Sequence, residues 1–366
     1  MYPALAVASA LAEQAQVVYV GSVGGMEERI VARESALPFR ALPAAAIRGR
    51  GPAQMAQSLL ILLRGVIAAV QLLNRERPNA ILGTGGYVCV PLFVAAKLRR
   101  IPTMIYLPDV VPGLAVRFLS RIADLTAVNV SDALPRLGLS EGHRRAIVTG
   151  YPVRPELFTI DRATARSAFG IAPDQMILLV YGGSRGARSV NRAIATLLPT
   201  LLPLCVIIHV CGREGDQVWL EEAAARLDPA LRVRYLLFPY LESSSAQSMA
   251  AALAAADVAV CRSGASTLAE LPAVGLPAVL VPYPYVHQDE NADYLVQRGA
   301  ALKVADHAML GNGDPAEGPL AQAVRQLLTD GGMRKQMAAR SRALARPDAA
   351  QALAAALIDL AQRSSA

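Results

Sequence analysis

The residues best suited to chemistry in this chain lie in three glycine-bearing turns, each at the end of an apolar run. Gly83-Thr84-Gly85-Gly86-Tyr87 follows Ala80–Leu82, and Gly182-Gly183-Ser184-Arg185-Gly186-Ala187 follows Leu178–Tyr181. The third, Arg262-Ser263-Gly264-Ala265-Ser266-Thr267, follows Val258–Cys261. Glycine lets backbone N–H groups approach an anion, and a helix starting behind the turn adds partial positive charge, so the pair suits phosphate. A tight strand–helix turn needs glycine as well, so each turn alone also admits a packing explanation. Two such turns in one half, with Arg154 available from Gly150-Tyr151-Pro152-Val153-Arg154-Pro155, favour phosphate. No GxxxxGK(S/T) loop occurs, which disfavours ATPase or GTPase chemistry, and the lack of a strict GxGxxG argues against a dinucleotide dehydrogenase. No Asp-x-Asp triplet indicates a metal clamp on a nucleotide diphosphate. The four histidines are isolated, and His209, inside an apolar run, reads as a core residue. The chemical outline is a site without metal or cofactor that holds a diphosphate by helix N-termini and an arginine.

These turns need a scaffold of strands and helices. Apolar strand-like runs at Ala80–Leu82, Met104–Leu107, Ala127–Val130 and Ala146–Thr149 alternate with helix-like segments in the first half. The second half restarts at Met176–Tyr181 and continues through Leu204–Val210, Arg232–Phe238, Val258–Cys261 and Ala278–Val281. Asp306–Gly318 reads as loop and Leu320–Leu360 as mostly helical. Alternating βα units in both halves predict an α/β protein with two Rossmann-like parallel-sheet domains facing a cleft. The Gly- and Pro-rich segment at 150–155 marks the hinge. The expected division is 1–153, 154–340, and a C-terminal helix at 341–366 that packs back on the first domain.

The chain opens with a helical pattern at Pro3–Ala15 and then a strand-like run at Val17–Val20. An α/β domain ordinarily begins with a strand that feeds its first helix. The first strand of the N-terminal domain is therefore expected to be absent, leaving strand edges unpaired; a start assigned too late, or a compact variant, accounts for it.

Composition narrows the partners. In 366 residues, 54% hydrophobic and 18% charged, there is ample material for two cores and no sign of a disordered chain. The 36 Lys+Arg against 29 Asp+Glu leave +7, compatible with nucleic acid, an anionic membrane or a phosphorylated substrate. Aromatic residues at 5%, with Trp219 the single tryptophan, disfavour a base-stacking platform for nucleic acid. Cys89, Cys205, Cys211 and Cys261 show no CxxC spacing, so neither zinc nor a disulfide framework is indicated and a reducing cytoplasm fits. The most apolar run, Ser58–Leu73, is interrupted by Arg64 and falls short of the roughly 20 apolar residues a spanning helix needs. No signal peptide is recognised.

The ordered motifs GTGGY (83–87), GYPVR (150–154), GGSRGAR..N (182–191), CRSGASTLAE (261–270) and HQDENA (287–292) resemble the MurG family. PALAVA at the start and IRGRG at 47–51 extend the resemblance over essentially the whole chain. It implies the GT-B fold and an inverting N-acetylglucosaminyltransferase. That enzyme moves GlcNAc from UDP-GlcNAc to the C4 hydroxyl of MurNAc in undecaprenyl-diphosphate-linked lipid I, giving lipid II for peptidoglycan. By resemblance, Ser184 and Arg154 meet the donor diphosphate, and Ala265, Ser266, Thr267, Leu268, Ala269 and Glu270 form a helix N-terminus over the nucleotide. Glu270 takes the ribose hydroxyls, Gln288 the GlcNAc hydroxyls, and Leu241, before the inserted SSSAQ, the uracil. Gly83, Thr84, Gly85, Gly86 and Tyr87 meet the acceptor diphosphate.

Two departures stand out. The family opens GGTGGHxxPALAVA, and the match here begins at Tyr2-Pro3-Ala4, so the loop and the proposed general-base histidine are not in this sequence. Where the family often reads HEQN, this chain has Tyr106-Leu107-Pro108-Asp109, placing Asp109 as a polar contact to a substrate sugar or a substitute base. Residues Gln57–Leu73, with Arg48, Arg50, Arg64, Arg75 and Arg77, read either as a contact with anionic lipid or as a core helix. The resemblance implies a peripheral protein on the cytoplasmic face of the membrane, with cell-wall synthesis proteins as further partners. The alternatives are a GT-B enzyme with another lipid acceptor and a non-catalytic UDP-sugar-binding protein.

Overall fold

The computed structural model describes residues 2–44 and 52–363, with backbone alone at Met26 and 52–59. The chain divides into one unit of residues 1–153 and 348–366 and a second of residues 154–347.

In the first unit the order is α1 (Tyr2–Leu11), β1 (Tyr19–Ser22), α2 (Met26–Glu34), β2 (Phe39–Leu42), α3 (Pro52–Glu76), β3 (Ile81–Gly83) and α4 (Cys89–Leu98). It continues with β4 (Thr103–Leu107), α5 (Leu114–Ile122), β5 (Leu125–Val128) and β6 (Ala146–Val148). All pairings are parallel, in a two-stranded sheet β1-β2 and a four-stranded sheet β3-β4-β5-β6. Among the described residues the two sheets share no paired strand. β4 is buried at all five positions, as a parallel strand covered on both faces requires. The first strand runs two residues later than the apolar run suggests. Gly21 sits against the Phe39 ring, leaving no room for a Cβ, and β1 pairs with β2 in register through Ser22.

The second unit contains α6 (Glu156–Thr159), α7 (Arg162–Ala168), β7 (Ile177–Tyr181), α8 (Arg188–Leu201), β8 (Val206–Val210), α9 (Gln217–Ala225) and α10 (Pro229–Arg232). Then follow β9 (Tyr235–Phe238), α11 (Met249–Ala255), β10 (Val258–Cys261), α12 (Thr267–Val274), β11 (Ala278–Leu280), α13 (Asp289–Gln297) and β12 (Ala301–Lys303). After two single 3-10 turns at Asp306–Ala308 and Pro315–Glu317 come α14 (Pro319–Thr329) and α15 (Gly331–Arg342). Its six parallel strands lie in the order β12-β11-β10-β7-β8-β9. Alternate residues of β7 face opposite layers: Leu178 and Val180 join the core against α8 and α14. The last helix, α16 (Ala349–Arg363), packs on α1 in the first unit.

No helix among the described residues is long and apolar enough to cross a membrane. Arg48, Arg50 and the IRGRG segment lie outside the described residues.

Candidate active site

Because every strand pair of the second unit is parallel, all its strand C-termini open on one edge, where α/β sheets bind ligands. Strand order arranges the loops there as 239–248, 211–216, 182–187, 262–266 and 281–288. The candidate residues Leu241, Ser184, Ala265 to Glu270 and Gln288 thus fall in a row across the edge.

The turn between β7 and α8 is shaped by backbone. Gly183 and Gly186 have φ of 86° and 87°, in the left-handed region that glycine occupies without strain. Gly186 lies directly on the Gly212 backbone, an approach that excludes a Cβ on either side. The Arg213 N–H donates to the Ser184 carbonyl at 3.3 Å, and Ser184 is left exposed at the tip. A buried polar chain supports this turn. Asn191 on α8 donates to the Cys211 carbonyl and Asp216, while its amide oxygen pairs with His209 Nε2 at 3.0 Å. His209 Nδ1 meets the Tyr235 hydroxyl at 2.7 Å. Burial drives the His209 pKa down to about 3, so the ring is neutral and structural.

The next turn leads into α12, whose N-cap Ser266 makes no side-chain bond to the helix backbone. Its hydroxyl instead donates to Glu270 Oε2 at 3.1 Å. The first turn of this eight-residue helix carries the partial positive charge that an anion seeks. Burial pushes the Glu270 carboxyl above its ordinary value, with the Ser266 hydrogen bond and the Arg154 charge acting in the opposite sense. Arg154 is thus within electrostatic reach of Glu270. Arg154 itself pairs with Glu156 at 3.4 Å and stays partly exposed.

Gln288 precedes α13, and its Oε1 accepts the Tyr283 N–H at 3.0 Å. That bond fixes which end of the amide faces outward: Nε2 remains a donor for a hydroxyl oxygen. Ser263 donates to the Gln288 carbonyl at 2.8 Å, and Asn291 donates to the Ser263 carbonyl at 3.0 Å, tying the third turn to this loop. Arg262 ties in more. It pairs with Asp306 and donates to Ser189 Oγ and to the Val281 and Pro282 carbonyls.

At the other end of the row, Leu241 is only 5% exposed and offers a base little surface. Tyr240 beside it is more open, with the Arg213 guanidinium 3.9 Å from its ring centroid. Sequence reading passed over Tyr240; the aromatic residue next to Leu241 was the available signal.

In the first unit, Gly83-Thr84-Gly85-Gly86-Tyr87 links β3 to α4, with consecutive left-handed glycines, φ 89° at Gly85 and 96° at Gly86. The Cys89 thiol donates to the Gly85 carbonyl at 3.2 Å, and Tyr87 is half-exposed. Asp109 follows β4 at the same edge of its sheet, half-buried. Helix α3 leaves Leu60, Leu63 and Ile67 exposed, with Ala69 and Leu73 buried.

Comparison with known proteins finds relatives over both units. Residues 1–128 match the glycosyltransferase family 28 N-terminal domain, and residues 177–353 match its C-terminal domain. A Roseiflexus protein is 56% identical, covering 97% of this chain and 91% of its own. It is described as UDP-N-acetylglucosamine--N-acetylmuramyl-(pentapeptide) pyrophosphoryl-undecaprenol N-acetylglucosamine transferase. A Desulforudis audaxviator protein with the same description is 40% identical, over 95% of this chain and 92% of its own. The crystal structure of Acinetobacter baumannii MurG superposes with a TM-score of 0.73 at 27% identity, covering 98% of this chain and 95% of that one.

Proposed function

The chain belongs to the MurG family, and from that premise we propose how its residues divide the work of the reaction. It is a hexosyltransferase: GlcNAc passes from UDP-GlcNAc to the C4 hydroxyl of MurNAc in undecaprenyl-diphosphate-linked lipid I, and lipid II results. The carrying observation for the sites is the row along the C-terminal edge of the six-stranded sheet. The base contacts lie at its β9 end, the sugar contact at its β11 end, and the ribose and diphosphate contacts on the β7 and β10 loops between them. Tyr240 and Leu241 take the uracil, Glu270 the ribose hydroxyls, Ser184 with Ala265, Ser266 and Thr267 the diphosphate, and Gln288 the GlcNAc hydroxyls. Leu268 and Ala269 complete the helical turn.

As the bond to the anomeric carbon breaks, negative charge develops on UDP. The fixed α12 N-terminus, the 182–187 turn and Arg154 are placed to stabilise it without reorganising. Arg154 exchanges Glu156 for the diphosphate in doing so. The acceptor diphosphate goes to Gly83–Tyr87, and Asp109 contacts a substrate sugar. The exposed Leu60, Leu63 and Ile67, with Arg64 among them, rest α3 on anionic lipid at the cytoplasmic face of the membrane, where a polyprenyl-linked acceptor must be met.

The test is transfer of labelled GlcNAc from UDP-GlcNAc to a lipid I analogue, with diacylglycerol run in parallel. Labelled disaccharide on the lipid I analogue alone is the expected result. Label on diacylglycerol alone would overturn the acceptor assignment.

A further inference from the structure

Two tyrosines beyond Gln288 have no place in the reading above. Tyr285 is 82% exposed and Tyr283 42%, with ring centroids 5.3 Å apart in an edge-to-face pair. Large aromatic surfaces left in water beside a binding site ask for an occupant. Pro282 and Pro284 precede the two tyrosines and restrict the backbone, and Tyr283, standing before a proline, is held extended. The Arg262 guanidinium lies 5.3 Å from the Tyr283 ring centroid, itself fastened to Asp306 and the Pro282 carbonyl. The Tyr283 N–H holds Gln288 in place. Tyr283 and Arg185 of the 182–187 turn also interact electrostatically. The pair therefore borders the site at the end of the row where the sugar of the donor belongs.

We propose that Tyr283 and Tyr285 form an aromatic lip that stacks on the GlcNAc ring of the donor, making this loop a specificity determinant for the transferred sugar. The inference rests on the reading that the second unit binds UDP-GlcNAc. A pyranose is polar at its rim, where the hydroxyls point, and apolar on its faces, where ring C–H groups lie. An N-acetyl group adds a methyl. Gln288 Nε2 addresses the rim, and a tyrosine ring addresses a face, gaining contact area at low entropic cost because only two side-chain torsions are fixed. UDP alone has no group to reach the lip.

The experiment is calorimetric titration of the full chain, wild type and the variants Tyr283→Ala, Tyr285→Ala and Tyr285→Phe, with UDP and with UDP-GlcNAc. UDP affinity is expected to stay within about twofold in every variant, while UDP-GlcNAc affinity falls about fivefold in Tyr285→Ala and recovers in Tyr285→Phe, the range expected of one aromatic contact. Equal loss for UDP and UDP-GlcNAc would overturn the proposal, because the lip would then only support the loop. So would unchanged donor affinity in both alanine variants, including the case in which only the KM for lipid I rises. Failure of the wild type to bind UDP at all would instead strike the donor-site reading, a result separate from any effect of the tyrosines.

Discussion

Glu270 concentrates the electrostatics of the proposed donor site in one side chain. Burial raises its pKa, Ser266 donates to it, and Arg154 lies close enough to oppose the shift. A carboxylate accepting ribose hydroxyls contributes about 1.5–3 kcal/mol, the scale of hydrogen bonds to charged groups. Glu270→Ala is therefore expected to weaken UDP-GlcNAc binding by about tenfold to a hundredfold, with an unchanged melting temperature; unaltered affinity in calorimetry would remove Glu270 from the site. The pH dependence has a definite sign. The charged form is the acceptor, and its pKa lies above the ordinary carboxylate value, so donor affinity should begin to fall at a higher pH than an unperturbed glutamate would give. Glu270→Ala should abolish that step. Ser184, Glu270 and Gln288 were assigned by the resemblance to the MurG family; the turn pattern alone marked only the glycine-bearing strand ends at 182–187 and 262–267 as suited to phosphate. Tyr240, Tyr283 and Tyr285 were not singled out, because exposure of a ring depends on what the folded chain places over it, and nothing in local spacing reports that.

At the scale of elements, α3 shows the same limit. Its periodicity fits a core helix and a lipid-facing helix equally well. The folded unit separates two faces: Gly65, Ala69 and Leu73 turn inward, with Gly65 against the Pro43 carbonyl and Pro91, while Leu60, Leu63 and Ile67 turn outward. Each exposed aliphatic side chain taken out of water contributes about 1.5–3 kcal/mol, so Leu63→Glu with Ile67→Glu should cut co-sedimentation with anionic vesicles at least about tenfold. The melting temperature should hold, since neither side chain is in the core; full retention on vesicles would return α3 to a purely structural role. Strands were legible where their residues form an apolar run, including β6 and β9, which are mostly half-buried. β4, β7 and β8, buried at every position, read as largely apolar runs, with His209 the polar residue inside β8. β2 and β12 were missed: Phe-Arg-Ala-Leu and Ala-Leu-Lys are short, charged, and lie at sheet edges, so their pairing comes from the neighbouring strand.

For the whole molecule, the chain path separates stability from donor binding. The proposed donor row lies within residues 154–347, while α16 returns to the first unit and packs on α1, with Ala349, Leu353 and Ala354 of α16 and Val7 and Leu11 of α1 all buried. Two cores predict two unfolding transitions. UDP at 100 times its dissociation constant should stabilise one of them by about 2.7 kcal/mol and leave the other in place, because a ligand stabilises only the unit that binds it. Ending the chain at Pro347 should do the reverse. It strips the partner of α1, at a cost of about 1.5–3 kcal/mol for each large side chain uncovered, and lowers the transition that UDP does not move. Scanning calorimetry of both chains with and without UDP reads this directly. If truncation and ligand moved the same transition, the donor row would depend on the first unit for its stability, and the division of labour between the two units would have to be redrawn.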